Sequence, residues 1–315
     1  MKAAVNDRYG PPDVVRVADV PRPEPKADQV LVRVHTAAVT SGDARLRAAR
    51  FPAGFAPFAR LAFGVVRPRR KVLGSAYSGV VEAVGSAVTR LRPGDRVCGM
   101  AGARMGAHAE YVAMPAEKVA VMPDGVSHDD AAGVLFGGTT ALFFLRDKGH
   151  VAAGQSVLVN GASGAIGTSA VQLARHFGAT VTGVTSGANA ELVTRLGAAH
   201  VVDHTRHDVT RTAERYDLVL DTVGNLSIKV GRPLLTPSGR LLLAVGSFGD
   251  TLRARGNVVA GVAPERRADY EFLLGLVAAG ELTVVVDQVY DLADAAEAHA
   301  RVDTGHKVGN VLLHP

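Results

Sequence analysis

The sequence predicts an α/β protein whose second half forms a doubly wound parallel sheet. From residue 156 onward, short β-branched runs alternate with amphipathic helical patterns, as is typical of parallel strands joined by crossover helices. The first of these strands ends in a turn with three glycines spaced three apart, in the stretch LVNGASGAIGTSAV. Residues 1–155, which are rich in Pro, Gly and β-branched residues, predict a mainly β region.

The elements follow in order along the chain. In the mainly β region, short strands are predicted at VLVRVHTAAV, SGVVEAVG, GDRVCGM and AEYVAM. SVLVN (156–160) predicts the first parallel strand, and the apolar periodicity of 165–177 predicts the first helix. Further strands are predicted at TVTGV, HVVD, YDLVLD, RLLLAV and NVVAGV, with a helix over 190–196. The glycine turn therefore lies between the first parallel strand and its helix.

Size and charge narrow the function classes. A chain of 315 residues exceeds what one core usually serves, so two domains are expected. The net charge is +5, and RPRRK (67–71) is a basic cluster, but no aromatic residue interleaves with it and only 5% of the chain is aromatic. Because base stacking needs aromatic side chains, we interpret the cluster as a solvated loop and expect no nucleic-acid partner.

The cellular location is predicted from three features that the sequence lacks, namely a membrane span, a signal peptide and a cysteine pair. The longest uncharged run, residues 131–145, is too short to span a membrane. The N-terminal MKAAVNDRYG lacks the apolar core of a signal peptide, and a single cysteine permits no internal disulfide. We therefore expect a cytoplasmic protein without a membrane partner.

The glycine turn predicts a dinucleotide site. Backbone amides at a strand-to-helix turn and the positive end of the helix together bind a pyrophosphate. Gly161 would ease the turn, Gly164 would let the backbone approach a phosphate, and Gly167 would let the helix pack closely on the sheet. Ala162 replaces the first glycine of the G-x-G-x-x-G pattern, so the glycines alone are weak evidence. The prediction of dinucleotide binding therefore depends on the strands and helix that flank the turn.

The whole chain resembles the medium-chain dehydrogenase/reductase superfamily. The resemblance rests on YGPPDVVRV, QVLVRVHTAAVTSGDARLR, VLGSAYSGVVEAVGSAVTRLRPGDRVCGM, GAHAEYVAMP and NGASGAIG, in this order. Within it, GGTTALFFLRDKG and YEFLLGLVAAGEL resemble the zinc-independent, quinone oxidoreductase-like branch. This implies a Rossmann NADP-binding domain at residues 123–262, inserted in a GroES-like catalytic domain at 1–122 whose return segment is 263–315. Ser127 and Asp130 fit a capping box on the helix that enters the inserted domain.

The sequence lacks the residues that bind zinc in the zinc enzymes of this superfamily. A zinc site needs thiolate, imidazole or carboxylate ligands in a close set. Cys98 is the only cysteine, and Ser75 and Ala76 stand where zinc enzymes of the superfamily have His and Glu. We therefore predict no metal.

NADPH is the expected cofactor. NAD-selective sites carry an acid at the end of the second strand, whereas Ser186 and Asn189 are neutral donors there. The resemblance places His204 at the adenine end and Thr140 near the nicotinamide, although His204 is equally well an exposed loop residue and Thr140 a cap of its own helix. The expected cofactor-binding residues are Ser163, Gly164, Ala165, Ile166, Thr140, Ser186, Asn189, His204, Val245, Gly246 and Asn310.

Without a metal, an activated C=C bond or a quinone is the predicted hydride acceptor, because its charge spreads into an enolate or quinol anion. The resemblance places the candidate catalytic residues Thr40, Asp43 and Arg45 beside the nicotinamide. Thr40 replaces the usual Asn and keeps a hydroxyl that can polarise the substrate. Asp43 alternatively anchors a loop through a nearby arginine.

The predicted function is an NADPH-dependent, zinc-free reductase of enones or quinones, and we expect a homodimer. One alternative is a zinc-free carbonyl reductase in a biosynthetic pathway. Another is a non-catalytic, crystallin-like NADPH binder, suggested by the loss of the usual Asn at position 40. The substrate itself stays undetermined, because variable loops such as 51–66 and 246–256 form the pocket walls.

Overall fold

A computed structural model describes residues 1–315, and its first part is a mainly antiparallel sheet. The central strand alternates buried Val32 and Val34 with exposed Arg33 and His35, as a sheet with one covered face requires. The elements of this part are β1 (Lys2–Asn6), β2 (Val15–Asp19), β3 (Gln29–Val39), α1 (Ser41–Ala48), α2 (Ala56–Phe63), β4 (Ala76–Val84), β5 (Arg96–Met100), β6 (Tyr111–Pro115) and β7 (Val119–Val121). Strands β1 and β2 form a separate two-stranded antiparallel sheet.

The middle of the chain forms a six-stranded parallel sheet. Its strand order is β10-β9-β8-β11-β12-β13. Successive strands are added on one side of β8 as far as β10 and then on its other side from β11 to β13, as in a doubly wound fold. The fold class predicted from the sequence is confirmed. The elements are α3 (His128–Leu142), β8 (Ser156–Asn160), α4 (Ala165–His176), β9 (Thr180–Thr185), α5 (Ala190–Arg195), β10 (His200–Asp203), β11 (Tyr216–Asp221), α6 (Ile228–Gly231), β12 (Leu235–Leu243), α7 (Phe248–Arg253) and β13 (Val258–Ala260).

The last part of the chain returns to the first sheet. Its strand β15 pairs antiparallel with β3, with Val311 opposite Val39, and the resulting order is β14-β15-β3-β4-β5-β7, while β6 pairs with β3. The elements are α8 (Arg267–Ala278), β14 (Val286–Asp291), α9 (Ala295–Asp303) and β15 (Asn310–His314).

One apolar core joins the two sheets. Helix α3 runs between them, and its buried Leu135 packs in the same cluster as Ala76 of β4 and Val159 of β8. The helix continues as a π-helical segment, Phe143–Gly149. Apolar side chains of α3 therefore fill the bottom of the cleft between the two sheets. No helix in the structure is long and apolar enough to span a bilayer.

Candidate functional site

The glycine turn joins β8 to α4 with the geometry that a phosphate site needs. Gly161 has a positive φ of 83°, and a Cβ on Gly167 would lie 2.0 Å from the Gly161 carbonyl oxygen, so both positions require glycine. A Cβ on Gly164 would meet only that carbonyl, at 3.6 Å. Gly164 is the N-cap of α4 and offers no side-chain cap, so the first amides of the helix lack an internal acceptor. The turn fits an incoming anion.

Hydroxyl and amide groups gather beside this turn at the end of β9. The Ser163 hydroxyl oxygen accepts from the Thr185 hydroxyl at 2.9 Å and from the Asn189 side-chain amide at 3.3 Å. Asn189 also donates to the Ser186 hydroxyl at 3.3 Å. A hydroxyl rotates and can both donate and accept, so Ser163 can donate to a phosphate oxygen. Ser163, Ser186 and Asn189 are thus brought together.

An acid enters the same region from the neighbouring strand. Asp203 ends β10, pairs in register with Thr185 of β9, and lies against Gly187, where a Cβ would be 2.6 Å from its carboxylate. Bonds from the Thr205 amide and hydroxyl lower the pKa of Asp203, with a smaller contribution from the Gly187 amide. This charge lies eighteen residues beyond the end of the second strand, where an NAD-selective site carries its acid, so the sequence pattern did not predict it.

The returning segment closes on the glycine turn. Gly309 donates its amide to the Ser163 carbonyl at 2.8 Å and forms a bridge with Gly164. The Lys307 ammonium donates to the Gly309 carbonyl at 2.6 Å, and burial lowers the pKa of Lys307 to about 8. Asn310 is buried and donates its side-chain amide to the Val285 carbonyl, so that amide is already engaged. Sequence reasoning did not find Lys307.

Thr40 and Asp43 form the start of α1. The Thr40 hydroxyl donates to the Asp43 carboxylate at 2.6 Å and accepts from the Asp43 amide, and the same carboxylate accepts from the Thr40 amide at 2.8 Å. The second carboxylate oxygen accepts from the Gly74 amide at 3.1 Å, not from an arginine. Both residues are buried. The pair is a complete capping box, readable from the same T/S-x-x-D spacing as Ser127 and Asp130.

The third candidate, Arg45, has different surroundings. It is partly buried on α1, and its guanidinium has no salt bridge or side-chain hydrogen bond in the structure. Burial lowers its pKa, although a guanidinium stays charged in proteins. Gly42, one helical turn earlier on the same face, lies next to Phe136 of α3. Arg45 therefore lies, without a hydrogen-bonding or ion-pair partner, on the side of α1 that faces α3.

Helix α3 connects α1 to the glycine turn. Phe136 faces α1, and Gly137 packs so closely on α4 that a Cβ would lie 2.2 Å from the Ala165 carbonyl oxygen. Thr140 follows one turn later, and its hydroxyl donates to the Phe136 carbonyl at 2.8 Å. Catalytic and cofactor candidates thus meet across α3, while the hydroxyl protons of Thr40 and Thr140 are both used internally.

The remaining cofactor candidates lie at the rim of the same sheet. Val245 and Gly246 follow β12, and Val245 packs against Gly224 after β11. His204 is exposed, and its amide donates to the Thr185 carbonyl at 3.0 Å. The His204 backbone is thus held at the end of β9, and its imidazole ring has no hydrogen-bonding partner in the structure.

Residues 50–71, which we name the 50–71 segment, reach over the cleft from the first sheet to the parallel sheet. Phe248 of α7 donates its amide to the Ala53 carbonyl at 2.8 Å. The rings of Phe55 and Phe58 pack on the Phe248 ring at 5.2 and 5.3 Å between centroids. The segment therefore covers the cleft beside Val245 and Gly246.

Cys98 and its neighbourhood do not resemble a metal centre. The thiol is fully buried in β5, and burial raises its pKa to about 12, so it stays protonated. No group of three or more His, Cys, Asp or Glu side chains is placed to hold a metal ion. The residues present do not fit zinc.

Comparison with known proteins gives the family. Residues 26–124 match the model for the alcohol dehydrogenase GroES-like domain, and residues 196–313 match that for zinc-binding dehydrogenases. A chloroplastic NADPH-dependent alkenal/one oxidoreductase of Arabidopsis thaliana is 30% identical, over 100% of this chain and 80% of its own length. A quinone oxidoreductase structure from Coxiella burnetii superposes with a TM-score of 0.89 at 27% identity, covering 100% and 99% of the two chains.

A mycobacterial protein solved in complex with NADPH is also similar. It has a TM-score of 0.82 at 28% identity, and the match covers 100% of both chains. The two sheets, the glycine turn and these relatives agree with one another. The chain belongs to the medium-chain dehydrogenase/reductase superfamily and, within it, to the quinone oxidoreductase branch.

Proposed function

We propose that this protein is an NADPH-dependent, zinc-free reductase that transfers hydride to the activated C=C bond of an enone or to a quinone. The observation that carries the proposal is the pairing of an open phosphate turn with Arg45, the one of the three catalytic candidates whose side chain has no hydrogen bond or ion pair. The alkenal/one and quinone oxidoreductase relatives support the same substrate class.

The hydrogen bonding of the cleft favours a conjugated acceptor. Reduction of an isolated ketone generates a strongly basic alkoxide, which needs a proton donor or a Lewis acid. The Thr40 and Thr140 hydroxyls donate to Asp43 and to the Phe136 carbonyl, so neither offers a free proton. An enolate or quinol anion is less basic, and a guanidinium can stabilise it electrostatically while solvent supplies the proton.

Each group then has a specific role. When bound, NADPH supplies the hydride. The glycine turn and Ser163 hold the pyrophosphate, and the 50–71 segment covers the cleft against water. Arg45 stabilises the negative charge that develops on the acceptor oxygen, and Asp43 and Thr40 fix the helix that carries it. This assignment moves the polarising role from Thr40 to Arg45.

Product analysis tests the reaction class. With NADPH and 2-cyclohexenone we expect cyclohexanone, and deuteride from labelled NADPH should appear at the β-carbon. An allylic alcohol would establish the carbonyl-reductase alternative. Cofactor binding without oxidation by any enone or quinone would establish the non-catalytic alternative. Arg45→Met should lower kcat about 100-fold and leave NADPH affinity within twofold, because one lost electrostatic contact is worth roughly 2–4 kcal/mol.

The preference for NADPH over NADH rests on Ser186 and Asn189, which are neutral donors beyond the end of β9. The NADPH-bound mycobacterial relative supports it. Asp203 opposes it, because its carboxylate lies beside the Gly187 amide, so we propose a modest preference. Fluorescence titration with both cofactors decides the point, and tighter binding of NADH would refute it.

The zinc-free proposal is tested on the purified protein. Elemental analysis should find no stoichiometric zinc, and activity should survive chelation. Loss of zinc together with activity would overturn the proposal.

We also propose a homodimer. Strand β13 is an edge of the parallel sheet, and the segment after it exposes Val262 at 92%. Light scattering should give twice the mass of the chain, and Val262→Asp should shift it towards the monomer. The cytoplasmic location and the lack of a nucleic-acid partner stay predictions.

A further inference from the structure

The 50–71 segment carries an exposed apolar surface at the mouth of the cleft. Phe58 and Leu61 on α2 are 60% and 66% exposed, and Val65 and Val66 after the helix are 56% and 86% exposed. These four side chains lie within nine residues of one another, unlike the scattered apolar residues that any surface has. More than half of the accessible surface of each of the four residues stays exposed.

The same segment is strongly basic. It contains six Arg and Lys residues and no Asp or Glu. Arg50 pairs with Asp303 and Lys71 with Asp7, while the other four cations have no acidic partner. The Arg60 guanidinium donates to the Val65 carbonyl and lies over the Tyr9 ring, and that of Arg69 donates to the Ala62 carbonyl. The four cations without an acidic partner are Arg60, Arg67, Arg69 and Arg70.

From this combination we infer that the 50–71 segment docks the protein on an anionic lipid surface. A short helix with exposed Phe and Leu, flanked by arginines, has the properties of an interfacial segment, in which apolar side chains enter the headgroup region and cations attract anionic lipid. The four arginines without an acidic partner are exposed along one segment, so their attraction suits a surface of mobile charges. The sequence analysis expected a solvated loop because it did not reveal which apolar residues stay uncovered.

The docking face is anchored to the rest of the molecule on both sides. One face of the Phe58 ring stacks on the Phe248 ring, and Tyr9 donates its hydroxyl to the Gly64 carbonyl at 2.7 Å. Docking would therefore place the cleft mouth at the bilayer. Resting on the proposed function, this favours a lipid-soluble quinone or enone as the acceptor, because such a molecule can enter the cleft without crossing water.

Vesicle flotation tests the docking itself and needs no turnover. We expect the full-length protein to float with phosphatidylcholine vesicles containing about 30% phosphatidylglycerol, and not with pure phosphatidylcholine. Salt at about 1 M should release it, because the screening length falls to about 3 Å. Failure to bind the anionic vesicles at low salt would overturn the inference and leave the proposed function untouched.

Paired variants identify the surface. Arg69→Gln with Arg70→Gln should weaken partitioning about 25-fold, whereas Arg211→Gln with Arg215→Gln, which removes the same charge elsewhere, should weaken it less than threefold. Equal losses in the two pairs would mean that only net charge matters, which contradicts a docking face.

A second pair tests the apolar contribution. Phe58→Ser with Leu61→Ser should weaken partitioning at least tenfold, and Val121→Ser with Val289→Ser should not. Circular dichroism checks that each variant is folded. If the Phe58 and Leu61 changes alter the mass by light scattering and leave vesicle binding intact, the face is a protein contact and the inference is wrong.

Discussion

Two helices begin at the cleft, and they differ in whether the backbone amides of their first turn have hydrogen-bond acceptors. Helix α4 begins at Gly164, which has no side chain, so the amides of its first turn remain open. Helix α1 begins at Thr40, where Thr40 and Asp43 satisfy each other's amides. An open helix start needs a ligand to complete its hydrogen bonding, whereas a closed start is a rigid support. The contrast separates the part of the cleft that binds from the part that positions.

Exchanging glycine for alanine at two positions of the open start gives the largest expected effects. In Gly167→Ala the new methyl group would lie 2.0 Å from the Gly161 carbonyl oxygen, so we expect a loss of at least about 2 kcal/mol of unfolding free energy. In Gly164→Ala the methyl group makes only an ordinary contact with the Gly161 carbonyl oxygen at 3.6 Å, so thermal unfolding should change little while NADPH affinity falls about tenfold. Equal destabilisation of both variants would show that the turn is only structural.

The closed start is tested by Thr40→Val. Loss of the cap should lower the unfolding free energy by about 1 kcal/mol and leave kcat within twofold. Ser127→Ala, which removes the hydroxyl that caps α3 by accepting from the Asp130 amide, is the matched control and should have a similar effect. If turnover instead falls by about 30-fold or more without destabilisation, Thr40 is the polarising group after all, and Thr40→Ser should then keep activity.

Helix α3 offers a third start, which carries a titratable ring. His128 stacks on His35 with 4.4 Å between ring centroids, and burial, then His35 and Arg96, lower the pKa of His128 to about 4. The unfolded chain binds this proton near pH 6.5, so stability is highest above pH 6.5 and falls as the pH drops towards 4. Because the ring is partly exposed, we expect this loss to be about 1 kcal/mol.

Unfolding of His128→Asn between pH 7 and pH 4 measures that contribution. The variant should lose less stability over this range than the parent, while His150→Asn, at an exposed position, should follow the parent. Identical slopes for all three proteins would show that His128 does not destabilise the start of α3 at low pH.

Asp203→Asn has the smallest expected effect, which is a change in cofactor affinity, and it tests whether the Asp203 charge lies close to the 2′-phosphate. The amide keeps an acceptor for Thr205 and removes the negative charge beside Gly187. Affinity for NADPH should rise about threefold and affinity for NADH should stay constant, because only the 2′-phosphate experiences the repulsion. Ser186→Asp should shift the preference the other way. A parallel change for both cofactors would place Asp203 away from the 2′-phosphate.

The sequence predicted what local spacing determines. The glycine turn, helix α4 and the Ser127 cap depend on residues within a few positions of one another, and all three are present. The Thr40–Asp43 box has an equally local signature, which the resemblance to a catalytic segment obscured. Asp203 depends on the register of two parallel strands, and the exposure of Phe58 and Leu61 depends on what packs against α2. Neither property is encoded in local spacing.

Strand β15 has a consequence for synthesis on the ribosome. Central strand β3 needs residues 311–313 to complete its hydrogen bonding, and Gly309 must reach the Ser163 carbonyl to close the glycine turn. Contacts between residues so far apart in the chain form late and slowly. One edge of β3 therefore stays exposed in the nascent chain until residues 309–313 have been synthesised and can pair with it. A chain interrupted before residue 310 is expected to aggregate, because its unpaired strand and apolar core stay open.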